Sequence, residues 1–280
     1  MLAITIQDAF GEFVMFRGSE KFIGVAGAVA LSATVAVGAQ ANFVAAGLGG
    51  TTSFDAWDEL SRSTPQVANA TPPFPGFPGN TPWPEAIDSV LTQGTADSSD
   101  DDPTGDATFN KTSGFGYPAG GSIYSSPFGT GTYIVEDLTP VADLATVVFQ
   151  IQIGQGTGSG PGIFDAWLTG VPTLTVDTTT ATGISVLPSN TAILSQGIGD
   201  SDFGPINIGV LGVQWDVTDI TDPITSFGVE FGPSGTSSTI LALQLDQGDL
   251  FSVAPIPEPA SLALIGLGGL AMLGRTRRCS

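Results

Sequence analysis

The stretch Thr239–Gln247, TILALQLDQ, sets Leu241, Leu243 and Leu245 on one side of an extended chain and Ala242, Gln244 and Asp246 on the other. Successive side chains of a strand point to opposite faces, so this alternation predicts a strand with one buried and one wet face. The run SFGVEFG, residues 226–232, repeats the device: Phe227, Val229 and Phe231 oppose Gly228 and Glu230. Working outward, TYIVEDL (132–138), ATVVFQIQI (145–153), TLTVD (173–177), INIGVLGVQWDV (206–217) and ITSFGVEFG (224–232) are short, rich in β-branched and aromatic residues, and separated by Gly, Pro, Asp or Ser. No helical period of any length lies between them, and 38 Gly and 20 Pro in 280 residues oppose helix. The expected fold is all-β: a loop-rich, jelly-roll-like antiparallel sandwich of two stacked sheets, with a terminal signal helix at each end. A β-helix is the alternative, and no fixed-period repeat supports it. The string FDAW occurs at Phe54–Trp57 and at Phe164–Trp167, too short a match to establish a repeat.

Before about Gly129 the texture differs. TPPFPGFPGNTPWP (71–84) reads as extended or polyproline-like, and TADSSDDDPTGDATFN (95–110) as a polar loop.

The two ends read as addresses. Arg17 and Lys21 precede the weakly apolar run Phe22–Gly38, and Ala39-Gln40-Ala41 supplies the small residues that signal peptidase reads, so residues 1–41 form a signal peptide cleaved after Ala41. Asp8 and Glu12 burden the segment ahead of it, whereas a start at Met15 would give the compact basic leader MFRGSEK. Translation from Met15 is therefore expected; precursor peptides covering Ala3–Phe10 would overturn it. At the other end Pro257-Glu258-Pro259 precedes the apolar run Ala260–Gly274, and Arg275, Arg277 and Arg278 follow. The run falls short of the ~20 residues that cross a bilayer comfortably, which makes it a poor permanent anchor. The Arg cluster would hold that end in the cytoplasm.

This order of parts resembles the PEP-CTERM sorting signal of exported bacterial proteins. The resemblance covers residues 255–278 and leaves the body unassigned. It implies that exosortase, a membrane-embedded cysteine protease, recognises Pro257, Glu258 and Pro259 and cuts nearby. It also implies transient insertion of the C-terminal helix in the inner membrane and delivery to the cell surface or extracellular matrix of a Gram-negative-type bacterium. The organisation is then a signal peptide (1–41), an acidic β-sandwich (42–254) and a sorting signal (255–280).

The body is strongly acidic. Of 27 acidic residues only Asp8, Glu12, Glu20 and Glu258 lie outside it, and Arg62 and Lys111 are its only cations, which leaves a net charge of −21. Nucleic acid is excluded as a partner, since phosphate contacts require clustered Lys and Arg. Anionic polysaccharide would need divalent cations to bridge to such a surface. There is no His, which removes Ser-His-Asp catalysis and His metal sites, and the lone Cys279 permits no disulfide within the chain. Paired carboxylates of the glycosidase kind remain, yet no pair stands out among 23.

Two binding features are expected from residue type. Asp97, Asp100, Asp101, Asp102 and Asp106 crowd one loop and repel one another unless solvated or neutralised, so a Ca²⁺ site using Asp100, Asp101, Asp102 and Asp106 stands beside a flexible solvated loop. A helix-loop-helix calcium motif fails, because its twelfth position is Lys111 where a Glu is needed. Trp57, Trp83, Trp167 and Trp215 each have an acid within two positions, which suits sugar stacking, although core burial is the commoner fate of Trp. Trp83, in the Pro-rich loop, is the candidate for stacking on a ring of an extracellular polysaccharide. Together with the destination that the PEP-CTERM resemblance implies, the expected function is an exported cell-surface or exopolysaccharide-matrix protein with a non-catalytic binding or structural role. A carbohydrate-binding module or glycoside hydrolase is the alternative.

Overall fold

The computed structural model describes residues 5–8, 11–14, 43–61, 63–71, 82–89, 103–125, 130–156, 170–201, 204–233 and 238–253. The two expected signal helices, the cleavage site at Ala41, the second FDAW, Asp100, Asp101, Asp102 and the whole sorting motif lie outside these residues. No helix among the described residues is long and apolar enough to cross a membrane.

The chain separates into two units, Met1–Leu31 and Ser32–Ser280. The first contains an antiparallel hairpin of β1 (Thr5–Asp8) and β2 (Gly11–Val14), with Thr5 opposite Val14. In the second unit follow β3 (Thr52–Trp57), the single-turn helix α1 (Pro65–Ala70), β4 (Ile87–Asp88), β5 (Thr108–Gly114), β6 (Tyr117–Ala119), β7 (Ser122–Tyr124), β8 (Gly131–Asp137) and β9 (Thr146–Gly156). Then come β10 (Thr173–Thr178), β11 (Ile184–Val186), β12 (Asn190–Ser201), β13 (Gly204–Asp216), β14 (Ile224–Phe231) and β15 (Ser238–Gly248). One sheet runs β11-β10-β14-β8-β5-β4; the other runs β12-β13-β9-β15-β7-β6, with β3 also paired to β15. All pairings are antiparallel.

Each sheet turns its period-two apolar set inward. Val135, Leu174, Val176, Phe227 and Val229 from one meet Phe149, Ile151, Val213, Trp215, Leu243 and Leu245 from the other in a single core cluster. The Phe149 and Phe231 rings, 5.1 Å apart, join the two layers. Burying each such side chain contributes about 1.5–3 kcal/mol, so this core is the main source of stability.

Three differences from the sequence expectation have physical causes. A bulge in β15 between Ile240 and Ala242 shifts the register, and Ile240, not Leu241, joins Leu243 and Leu245 in the main core. The far face of the larger sheet is not wet, because Ala242, Gln244, Gln150 and Val148 are buried there as well. Residues 43–48 cover part of it: Phe43 packs on Val210 and Ala242, and Ala46 on Val148 and Ala192. Finally, the breaker-rich first half contributes β3 to β7, and Thr108–Asn110, expected in a loop, opens β5. Its inward positions are Phe109 and Lys111, and a lysine in that register hides the apolar alternation.

Candidate functional site

One end of the sandwich is closed by carboxylates instead of hydrocarbon. Asp55 lies opposite Leu245 across β3 and β15 and so shares the inward face of the larger sheet. Asp137 ends β8 on the same parity as the buried Tyr133 and Val135 of the smaller sheet. Gln247 of β15 reaches across the gap: its Nε2 donates to Asp137 Oδ2, while its Oε1 accepts the Val141 N–H at 3.2 Å. The Thr139 N–H donates to Asp137 Oδ1 at 2.7 Å, and the Thr139 hydroxyl donates to Asp106 Oδ2 at 2.6 Å.

The loop ahead of β5 is clamped to β3. The Thr104 and Gly105 N–H groups both donate to Phe54 O, at 2.9 and 3.1 Å, and the Phe54 N–H returns to Thr104 Oγ1 at 3.1 Å. A Cβ at Gly105 would lie 2.0 Å from Asp55 Oδ2, so any larger residue there displaces the Asp55 carboxyl. Ser89 donates to Asp55 Oδ1 at 2.6 Å, while Asp55 Oδ2 has no hydrogen-bond partner among the described residues.

The electrostatics follow from burial. Desolvation pushes the Asp55 carboxyl up to about 6 from 3.8; hydrogen bonds from Ser89 and the Ala107 backbone lower it, and Asp137 and Asp106 raise it further. Burial also raises Asp137, against hydrogen bonds from the Thr139 N–H and Gln247. Elsewhere Lys111 Nζ donates to Gly114 O at 2.8 Å, and burial lowers its pKa to about 8.

Of the residues singled out from sequence, Asp106 belongs to this cluster. Trp83, expected at an exposed stacking position, is instead 4% exposed, and its indole meets Phe109 edge-on at 5.5 Å and Tyr133 at 5.9 Å. The Trp83 N–H bonds Lys111 O at 3.0 Å, and a large apolar ring in that position gains more from the core than from water. Trp57 and Trp215 are core members too. No group of three or more Asp, Glu, Cys or His side chains among the described residues is placed to hold a metal ion. Asp137, Gln247 and Ser89 carry no motif in the sequence, and Asp55 stands there only within the FDAW string, beside Trp57. The available signal was an acid on the inward parity of a strand, Asp55 with Trp57 and Asp137 with Val135.

Residues 255–278 match the PEP-CTERM protein-sorting motif. This signal implies an exported bacterial protein sorted to the cell surface by exosortase. No curated protein matches the chain.

Proposed function

We propose that the chain is a cell-surface or exopolysaccharide-matrix protein whose sandwich acts by binding or by structural presence, without catalysis. The observation that carries this reading is the sealing of the perturbed carboxyls. Asp55 and Asp137 are 0% and 1% exposed and are tied to Ser89, Thr139 and Gln247, so neither opens to solvent where a glycosidic bond could reach it. In the maturation order that accompanies this reading, signal peptidase cuts after Ala41. The run 260–274 then enters the inner membrane of a Gram-negative-type bacterium, Arg275, Arg277 and Arg278 remain cytoplasmic, and exosortase cuts near Pro257–Pro259. Ca²⁺ on Asp100, Asp101, Asp102 and Asp106 would neutralise the acidic loop and bridge to anionic sugars. If the surface binds a sugar ring directly, Tyr117 and Tyr124 replace Trp83 as candidates: they are half-buried, edge-to-face at 5.6 Å, on a hairpin at the rim of the larger sheet.

Two measurements test the proposal. Intact mass of protein recovered from the cell surface is expected to end near Pro257, and retention of Leu262–Ser280 would mean a tethered protein instead. Incubated with the cells' own exopolysaccharide, the protein is expected to release no reducing ends. Release that vanishes on substitution of one carboxylate would overturn the non-catalytic reading in favour of a glycosidase.

A further inference from the structure

We propose that the free edge of β12 is a self-association surface, where a second copy of this chain adds its own β12 antiparallel and joins two larger sheets into one. The inference rests on the structural reading above and supplies its partner. β12 has twelve residues and, among the described residues, pairs only with β13. The other terminal strands in the two sheets are shorter: β6 and β11 have three residues each, β4 has two, and β3 has six, with Phe54 taken up by Thr104 and Gly105. A strand edge presents a row of unsatisfied backbone donors and acceptors, which natural sheets blunt with lysine, proline or very short strands. β12 has no lysine and no proline; its one irregularity is a bulge between Ile193 and Ser195, after which Ser195–Ser201 runs regularly against Gly204–Val210.

Charge and exposure select the partner. In a chain of net charge −20, residues 187–201 contain Asp200 as their only charged residue, so two copies meet here with little local repulsion. A polyanion finds no complementary group on this strip, and a polycation finds Asp200 alone. Ile198 is 73% exposed and Leu187 84%, and the space beside Gly197 is open. An antiparallel strand pair is isologous, because the same edge serves both partners, and it closes as a two-fold dimer.

Sedimentation velocity on the protein recovered from the cell surface tests this, over a range of concentrations at low salt and at ~0.5 M salt, where the net charge is screened. The expected result is a concentration-dependent dimer favoured by salt, with slower hydrogen exchange of the 190–201 amides in the concentrated sample. Ile198→Lys and Gln196→Lys, both at exposed positions, are each expected to weaken the dimer roughly tenfold or more while leaving the melting temperature unchanged. A monomer at every concentration and salt would overturn the proposal. So would a dimer indifferent to both substitutions and without added protection at 190–201. The exchange measurement needs no variant, and C-terminal processing is judged separately by mass, so failure here leaves the export reading standing.

Discussion

Asp55 shows how a single buried acid links the fold to pH. A carboxyl raised from 3.8 to about 6 contributes stability that is fully present below about pH 3.8 and is lost as pH rises through about 6. Above that range the cost is about 3 kcal/mol. Asp55→Asn, which keeps an oxygen for Ser89, is expected to raise the melting temperature at pH 7.5 by several degrees and to flatten the decline between pH 4 and 7. Thermal melts across that range check it, and a variant that melts lower at pH 7.5 would show that the ionised carboxylate is compensated. Trp83→Ala is expected to cost about 3–5 kcal/mol in denaturant unfolding, with any polysaccharide retention changing only in step with the folded fraction. Loss of retention in a fully folded variant would restore a ligand role to the indole.

Among elements, the strands were legible wherever neighbours in sequence decide the face. TYIVEDL, TLTVD and ITSFGVEFG fall within a residue of β8, β10 and β14. β12 was not legible, because Gly197, Gly199 and its polar residues lack apolar alternation; its strand state comes from pairing along its whole length with β13. The bulge that displaces Leu241 was equally hidden, since a register shift is set by the partner strand. Coverage of the larger sheet depends on Gln150, whose side-chain amide imitates a neighbouring strand: Oε1 accepts the Val44 N–H at 2.8 Å and Nε2 donates to Val44 O at 2.7 Å. Gln150→Ala is expected to cost about 1–3 kcal/mol and to speed hydrogen exchange across 43–48. Unchanged exchange there would mean that Phe43 and Ala46 alone hold the segment.

At the scale of the whole molecule, net charge dominates. With charge −20 the folded state repels itself, so salt is expected to raise the melting temperature up to ~0.5 M, where screening acts within about 4–5 Å. If Ca²⁺ already neutralises the acidic loop, chelator lowers the melting temperature and sodium chloride does not restore it. A melting temperature insensitive to both would mean that the acids are spaced and solvated well enough to repel weakly. The sequence by itself determined the all-β character and the address, because a period of two and the order Pro-Glu-Pro, apolar run and Arg cluster are properties of neighbours along the chain. Tertiary structure decided that Trp83 belongs to the core, that Asp55 and Asp137 close one end of the sandwich, and that part of the far face of the larger sheet is covered. Burial depends on what packs opposite a residue, and those partners lie from about twenty to more than a hundred positions away.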